Sequence, residues 1–228
     1  MRRFAKWHIW IGWLTGVPLL LWCASGLVMV AKPIEEVRGN YLRRDLPAEA
    51  LPAGNPAPVL NDIDRPTDIR DIHSFMLEGR AVTDVTHLDG RVERFDAMRG
   101  TRLQPVGEPE ARAIVAHRIL GGDKPAQVRL FDAGDPPADL RQPVAAWQVT
   151  LADGTHVYVA RDTGEIVAVR TRWWRFYDFF WGLHIMDLQT REDTHHPTLI
   201  VFAVLALAGS LLGTTLLFRR RKARVKVA

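Results

Sequence analysis

The chain has 228 residues, 47% of them apolar, with 30 basic and 26 acidic side chains and one cysteine. That length excludes several large domains, and a lone cysteine excludes an intrachain disulfide. The net charge of +4 does not mark a nucleic-acid binder, because nine basic residues and no acid flank two uncharged runs, leaving −5 on the stretch between them.

The first run lies between Lys6 and Lys32, 25 residues without a charge. As a helix it would extend about 37 Å, enough to cross a hydrocarbon core with some tilt. It predicts a transmembrane helix over 7–31 behind a short N-terminus, 1–6. The run is longer than a signal-peptide core and no A-x-A site follows it, so the expectation is an uncleaved span. The second run, His195 to Phe218, predicts a helix over 197–218 followed by a basic tail, 219–228. Basic flanks at both ends place both termini in the cytoplasm of a bacterial inner membrane, with about 32–196 in the periplasm.

The first span opens with "KWHIWIGWLTG". His8, Gly12 and Gly16 fall at about 0°, 40° and 80° around a helix and share one face; Gly209 and Gly213 repeat the spacing in the second span. Two readings of this face stand. Small residues at four-residue intervals let helices, or two subunits, pack closely. Alternatively, the glycines leave room for a flat porphyrin whose iron is ligated by His8.

Residues 32–66 are a Pro/Ala-rich linker with room for one short helical turn. The insert then matches itself at an offset of 64: "VTHLDGRVERFDAMRG" lies over "VTLADGTHVYVARDTG", aligning Asp89 with Asp153, Gly90 with Gly154 and Gly100 with Gly164. Asp-Gly between alternating apolar segments signals a hairpin. Each copy reads strand, tight turn, strand, glycine turn, strand, with a first repeat over 67–106 and a second over 107–170. The first copy begins with "IRDIHSFMLEGRAVTDVT", which alternates well enough for another hairpin. "GEPEARAIVAHRILGG" reads as an amphipathic helix with Pro109 in its first turn and glycines at its stop. The fold class is thus a membrane protein of α+β type: two transmembrane helices flanking an extracytoplasmic insert of antiparallel strands with at least one helix.

Residues 171–196 begin with seven aromatic side chains between Trp173 and Trp181, the composition of an interfacial anchor. Within the segment, His184 and Asp187 are three apart, which leaves two readings: the carboxylate orients the ring, or His184 is an ordinary interfacial histidine and Asp187 a capping acid. His184 with His195 or His196 is the candidate set at this end. About 30 Å of membrane separates it from His8, so one iron cannot join them within a chain. Two His8 rings at one iron require a homodimer, which makes a four-helix bundle. His73, His87, His117 and His156 read as surface or packing residues. No H-E-x-x-H, paired cysteines or Walker loop occurs and there are three serines, which disfavours hydrolase and nucleotide chemistry.

"AAWQVTLADGTHVYVARDTGEIVAVR" resembles the second half of a PepSY module, through Trp147, Tyr158, Val159 and "RDTGEIV". "WHIWIGWLTGVPLLLWCASGLVMV" and "FWGLHIMD" are similar to helices of the PepSY-associated transmembrane family, larger members of which have four spans. The resemblance implies electron transfer through b-type haem, linked to ferric-siderophore reduction or iron uptake. It equally leaves open a non-catalytic, membrane-tethered module that binds a periplasmic protein or serves as an accessory subunit of a membrane complex.

Overall fold

The computed structural model describes residues 2–53, 63–64 and 66–225. They form two units, Met1–Pro33 with Arg175–Ala228, and Ile34–Trp174.

The first unit is built on two helices, α1 (Arg2–Val30) and α5 (Pro197–Val225), each long and apolar enough to cross a membrane. Their apolar side chains mostly face outward, Trp13 at 80% exposure and Leu20 at 72%, the inverse of a helix in a water-soluble core. The two helices pack against one another. A methyl group added to Gly209 would lie 3.0 Å from Ile11, and one added to Gly213 would lie 2.8 Å from the His8 ring. The same addition at Gly12 or Gly16 meets nothing within 4 Å. Close approach therefore uses the glycines of α5, and the glycine face of α1 is open within one chain.

In the second unit, α2 (Ile34–Val37) and a short 3-10 turn lead into extended chain, so residues 46–53 contain no helical turn. The rest of the linker, 54–62 and 65, lies outside the described residues. The first sheet is an antiparallel meander of β1 (Ile69–Leu77), β2 (Arg80–His87) and β3 (Val92–Asp96). The second orders β4 (Pro125–Phe131), β5 (Ala146–Leu151), β6 (His156–Ala160) and β7 (Ile166–Arg170) the same way.

The self-match at offset 64 reappears bond for bond. His87 N–H donates to Arg91 O at 2.9 Å as Leu151 N–H does to Thr155 O at 2.8 Å, and the Asp89 and Asp153 carboxylates each cap the amide two residues on. Gly90 and Gly154 take φ of 88° and 80°, the left-handed region such turns require. The copies diverge at their third strand. β7 pairs fully with β6, but its counterpart is reduced to a bridge between Phe95 and Arg102. Pro105, which has no N–H to donate, follows, and Val106 N–H crosses instead to Arg161 O at 2.7 Å. β4 has no counterpart in the sequence reading, although Ala126, Val128 and Leu130 alternate with Gln127 and Arg129; it is an edge strand with no buried residue.

Helix α3 (Glu108–Arg118) buries Ala111, Ile114 and Val115. They join Leu77 and Val82 from the first sheet and Val149, Leu151, Val157 and Val159 from the second in one apolar cluster. Burial of such side chains contributes about 1.5–3 kcal/mol each.

Candidate functional site

The first unit holds two histidines whose rings are pinned in the same way. His8 places Nδ1 3.1 Å from the Gly209 carbonyl of α5. A carbonyl can only accept, so Nδ1 carries a proton, and in the neutral ring Nε2 is the nitrogen with the lone pair. His184 is the last residue of α4 (Arg172–His184). Its Nδ1 lies 3.0 Å from Ser25 Oγ and 3.2 Å from the Trp22 carbonyl. Ser25 donates its single proton to that carbonyl at 2.8 Å, so its oxygen accepts from the imidazole. Nδ1 is again the protonated atom and Nε2 is again free. The Trp22 indole stacks on the ring at 5.2 Å and 16°, with Phe202 edge-on to the indole.

His8 touches α5 near the start of α1, whereas His184 touches α1 at Trp22 and Ser25. The helical rise between these contacts is about 21–26 Å, so the two rings serve separate places. Beside Phe202 an apolar groove of about 400 Å3 runs between Leu14, Val201 and Leu205.

Asp187 does not orient His184. Its carboxylate instead accepts the Thr190 hydroxyl and the backbone N–H groups of Gln189, Thr190, Glu192 and Asp193. These donors, the Thr190 hydroxyl foremost, hold its pKa well below the usual carboxylate range. The residue shapes the loop after α4, and the ring's partner is Ser25, a contact the sequence reading did not foresee. A hydroxyl inside an apolar run was the available signal. His195 is exposed, with Nδ1 3.3 Å from Thr194 Oγ1. His196 Nδ1 accepts the Thr198 N–H at 3.4 Å at the start of α5. No interaction brings either to His184, and among the described residues no group of three or more His, Cys, Asp or Glu side chains is placed to hold a metal ion.

Three polar clusters in the second unit also went unmarked in the sequence. His87 is fully buried and pairs through Nε2 with Glu93 at 3.1 Å. Asp139 accepts from His156 Nδ1 at 2.9 Å and from the Tyr158 hydroxyl at 2.5 Å, and Gln148 donates to that hydroxyl. Burial works to raise the Asp139 pKa, but the bonds from His156 and Tyr158 outweigh it and hold the carboxyl low. Burial, then the adjacent carboxylate, pushes Tyr158 up.

The third cluster is Asp84, opposite Arg94 of β3 and His73 of β1. Asp84 Oδ1 has no hydrogen-bond partner, and neither have Nε and Nη1 of Arg94, whose Nη2 bonds Glu110 at 2.9 Å. Burial pushes the Asp84 carboxyl up to about 7, against the pull of Arg94 and with a further push from Glu165. The unfolded chain releases this proton near pH 4 and the folded chain near 7. Folding therefore takes up a proton between those limits, and the contribution of Asp84 to stability is lost as pH rises through them. Between pH 4 and 8 the wild-type fold is expected to weaken by about 2–4 kcal/mol relative to Asp84→Asn. Urea midpoints of the two proteins across that range check this.

The chain matches no protein-family model, no curated protein and no solved structure. Its function rests on its own residues.

Proposed function

We propose that this chain is a PepSY-type protein of the bacterial inner membrane that carries electrons through b-type haem toward an extracytoplasmic ferric chelate such as a ferric siderophore. The supporting observation is that both histidines between the apolar helices spend Nδ1–H on a neighbouring helix and leave Nε2 free. That is the donor an axial imidazole supplies, with its other nitrogen bonded to fix tautomer and direction. Two features of the surroundings support the group: the His8 ring lies over Gly213, whose missing side chain leaves Nε2 room, and the groove beside Phe202 is apolar. Bound haem would supply a one-electron Fe(III)/Fe(II) couple. His8 and His184 would hold iron at separate depths; a second donor from His195 or His196 would require the start of α5 to move, since neither contacts His184 here. The Trp22 indole covers one face of the His184 ring, with Phe202 edge-on to the indole. A second copy of the chain, as a homodimer, would bring another imidazole to the His8 site. In this reading the termini are cytoplasmic and residues 32–196 periplasmic, on the charge asymmetry of the flanks.

The test is the visible spectrum of detergent-purified protein. A Soret band is expected, reduced in His8→Ala and in His184→Ala and abolished in the double variant. A folded, colourless wild type would overturn the proposal. A second reading, a membrane-tethered module that binds a periplasmic protein or an accessory subunit of a complex, is favoured by a cavity of about 680 Å3 along the free edge of β1, between Ser74–Met76 and the extended strap Asp45–Leu51. Unpaired strand edges are common sites for added chain.

A further inference from the structure

We propose that Ser25 is a positioning residue for His184: it fixes which ring nitrogen is free and where that nitrogen points. This rests on the electron-transfer reading for its purpose, although the geometry is independent of haem. Ser25 is fully buried on α1. Its hydroxyl proton is committed to the Trp22 carbonyl at 2.8 Å, so its oxygen is left as an acceptor aimed at His184 Nδ1, 3.0 Å away. The Trp22 carbonyl, 3.2 Å from the same nitrogen, is a second acceptor. Nδ1 thus faces two oxygens, and a lone pair placed there would be repelled by both. The Nδ1–H tautomer is the one this pocket accepts, and Nε2 becomes the only donor available to a metal.

Two neighbours complete the clamp. Gly26 leaves the His184 ring room: a methyl group there would stand 3.4 Å from Cε1, in contact with the ring edge. The Trp22 indole covers one ring face. With bonds on Nδ1, backbone beside Cε1 and an indole on the face, rotation of the ring is blocked in three directions. His8 reaches the same tautomer by a direct bond to the Gly209 carbonyl. The His184 arrangement differs in using a side chain, which makes it accessible to substitution.

The experiment uses the full chain in detergent, labelled with 15N in histidine and freed of haem. Ring nitrogen shifts report the tautomer, and the His184 signals are those lost in His184→Gln. The wild type is expected to show Nδ1–H at His184. Ser25→Val replaces the acceptor with a methyl group and should raise the Nε2–H population about tenfold, the equivalent of one lost hydrogen bond. Ser25→Thr keeps the hydroxyl and should restore the wild-type spectrum. Nε2–H in the wild type overturns the proposal without any variant, and so does a Ser25→Val spectrum identical to wild type. With haem restored, the midpoint potential should shift in Ser25→Val and hold in Ser25→Thr. A wild type that takes up no haem overturns the electron-transfer reading alone, and the tautomer result still decides the role of Ser25.

Discussion

Gly122→Ala is expected to destabilise the second unit by about 3 kcal/mol, at the upper end of what overpacking costs. The added methyl carbon would lie 2.1 Å from the Val115 carbonyl oxygen, 2.7 Å from its carbon and 3.0 Å from Ile119 O. All three are backbone atoms, and the Val115 carbonyl is already committed to the Ile119 N–H at 3.0 Å, where α3 ends. No side chain can swing aside, so the end of the helix must move, taking buried Val115 and Ile119 with it. The adjacent Gly121 is a control. It has φ of 77° but open space around it, so Gly121→Ala should cost only the left-handed penalty, about 1–2 kcal/mol. Hydrogen exchange of β5 and β6 amides in the intact protein measures both. Equal losses for the two variants would show that the close approach at Gly122 does not limit stability.

Gly213→Leu should separate α1 from α5, at a cost of about 3 kcal/mol or more, and if haem is bound at His8 its Soret band goes with the helix pair. Its first added carbon would meet the His8 ring at 2.8 Å, and a leucine has three further carbons to place. Gly12→Leu should have a different result. Its methyl group meets nothing within 4 Å, so the helix pair should keep its melting temperature. If a porphyrin lies over the Gly12–Gly16 face, colour is nevertheless lost. Melting followed by tryptophan fluorescence, alongside haem absorbance, separates the outcomes. A colourless but stable Gly12→Leu protein supports the porphyrin reading, whereas a coloured one excludes haem from that face.

What the sequence disclosed follows the range of the forces involved. The long helices announce themselves by missing charges, and the hairpins by Asp-Gly pairs whose positive φ is a local demand. Helix α3 carries its own proline start, apolar spacing and glycine stop. Other features depend on neighbours distant in the chain. Helical spacing puts Gly12 and Gly16 on the His8 face, but cannot say that Gly209 and Gly213 would make the contact and leave that face open. Ser25 and His184 are 159 positions apart, and no local pattern links them. For Asp187 the spacing left a capping acid and a partner of His184 both open, and the structure shows the cap. Its partners are the amides of the following residues, and a loop that folds back on its own carboxylate outcompetes a ring three positions away. The buried polar residues Asp84 and His87 both sit in β2, which is buried along nearly its whole length rather than on alternate residues, and the sequence does not show that both of its faces are covered.

The order of strands in both sheets has a kinetic meaning. Among the described residues every strand pairs only with its neighbours along the chain, so the longest connection a pairing closes is the 14 residues between Phe131 and Ala146. Such local topology lowers the entropic barrier to the first contacts and speeds folding relative to sheets with crossovers. β5, β6 and β7 can zip together in the order in which they are synthesised. The earlier copy, which lacks a full third strand, then gains its missing support by docking Leu77 and Val82 onto α3 and the second sheet. The second copy, complete in its own strands, is thereby expected to form first, with the first copy completing its fold against it.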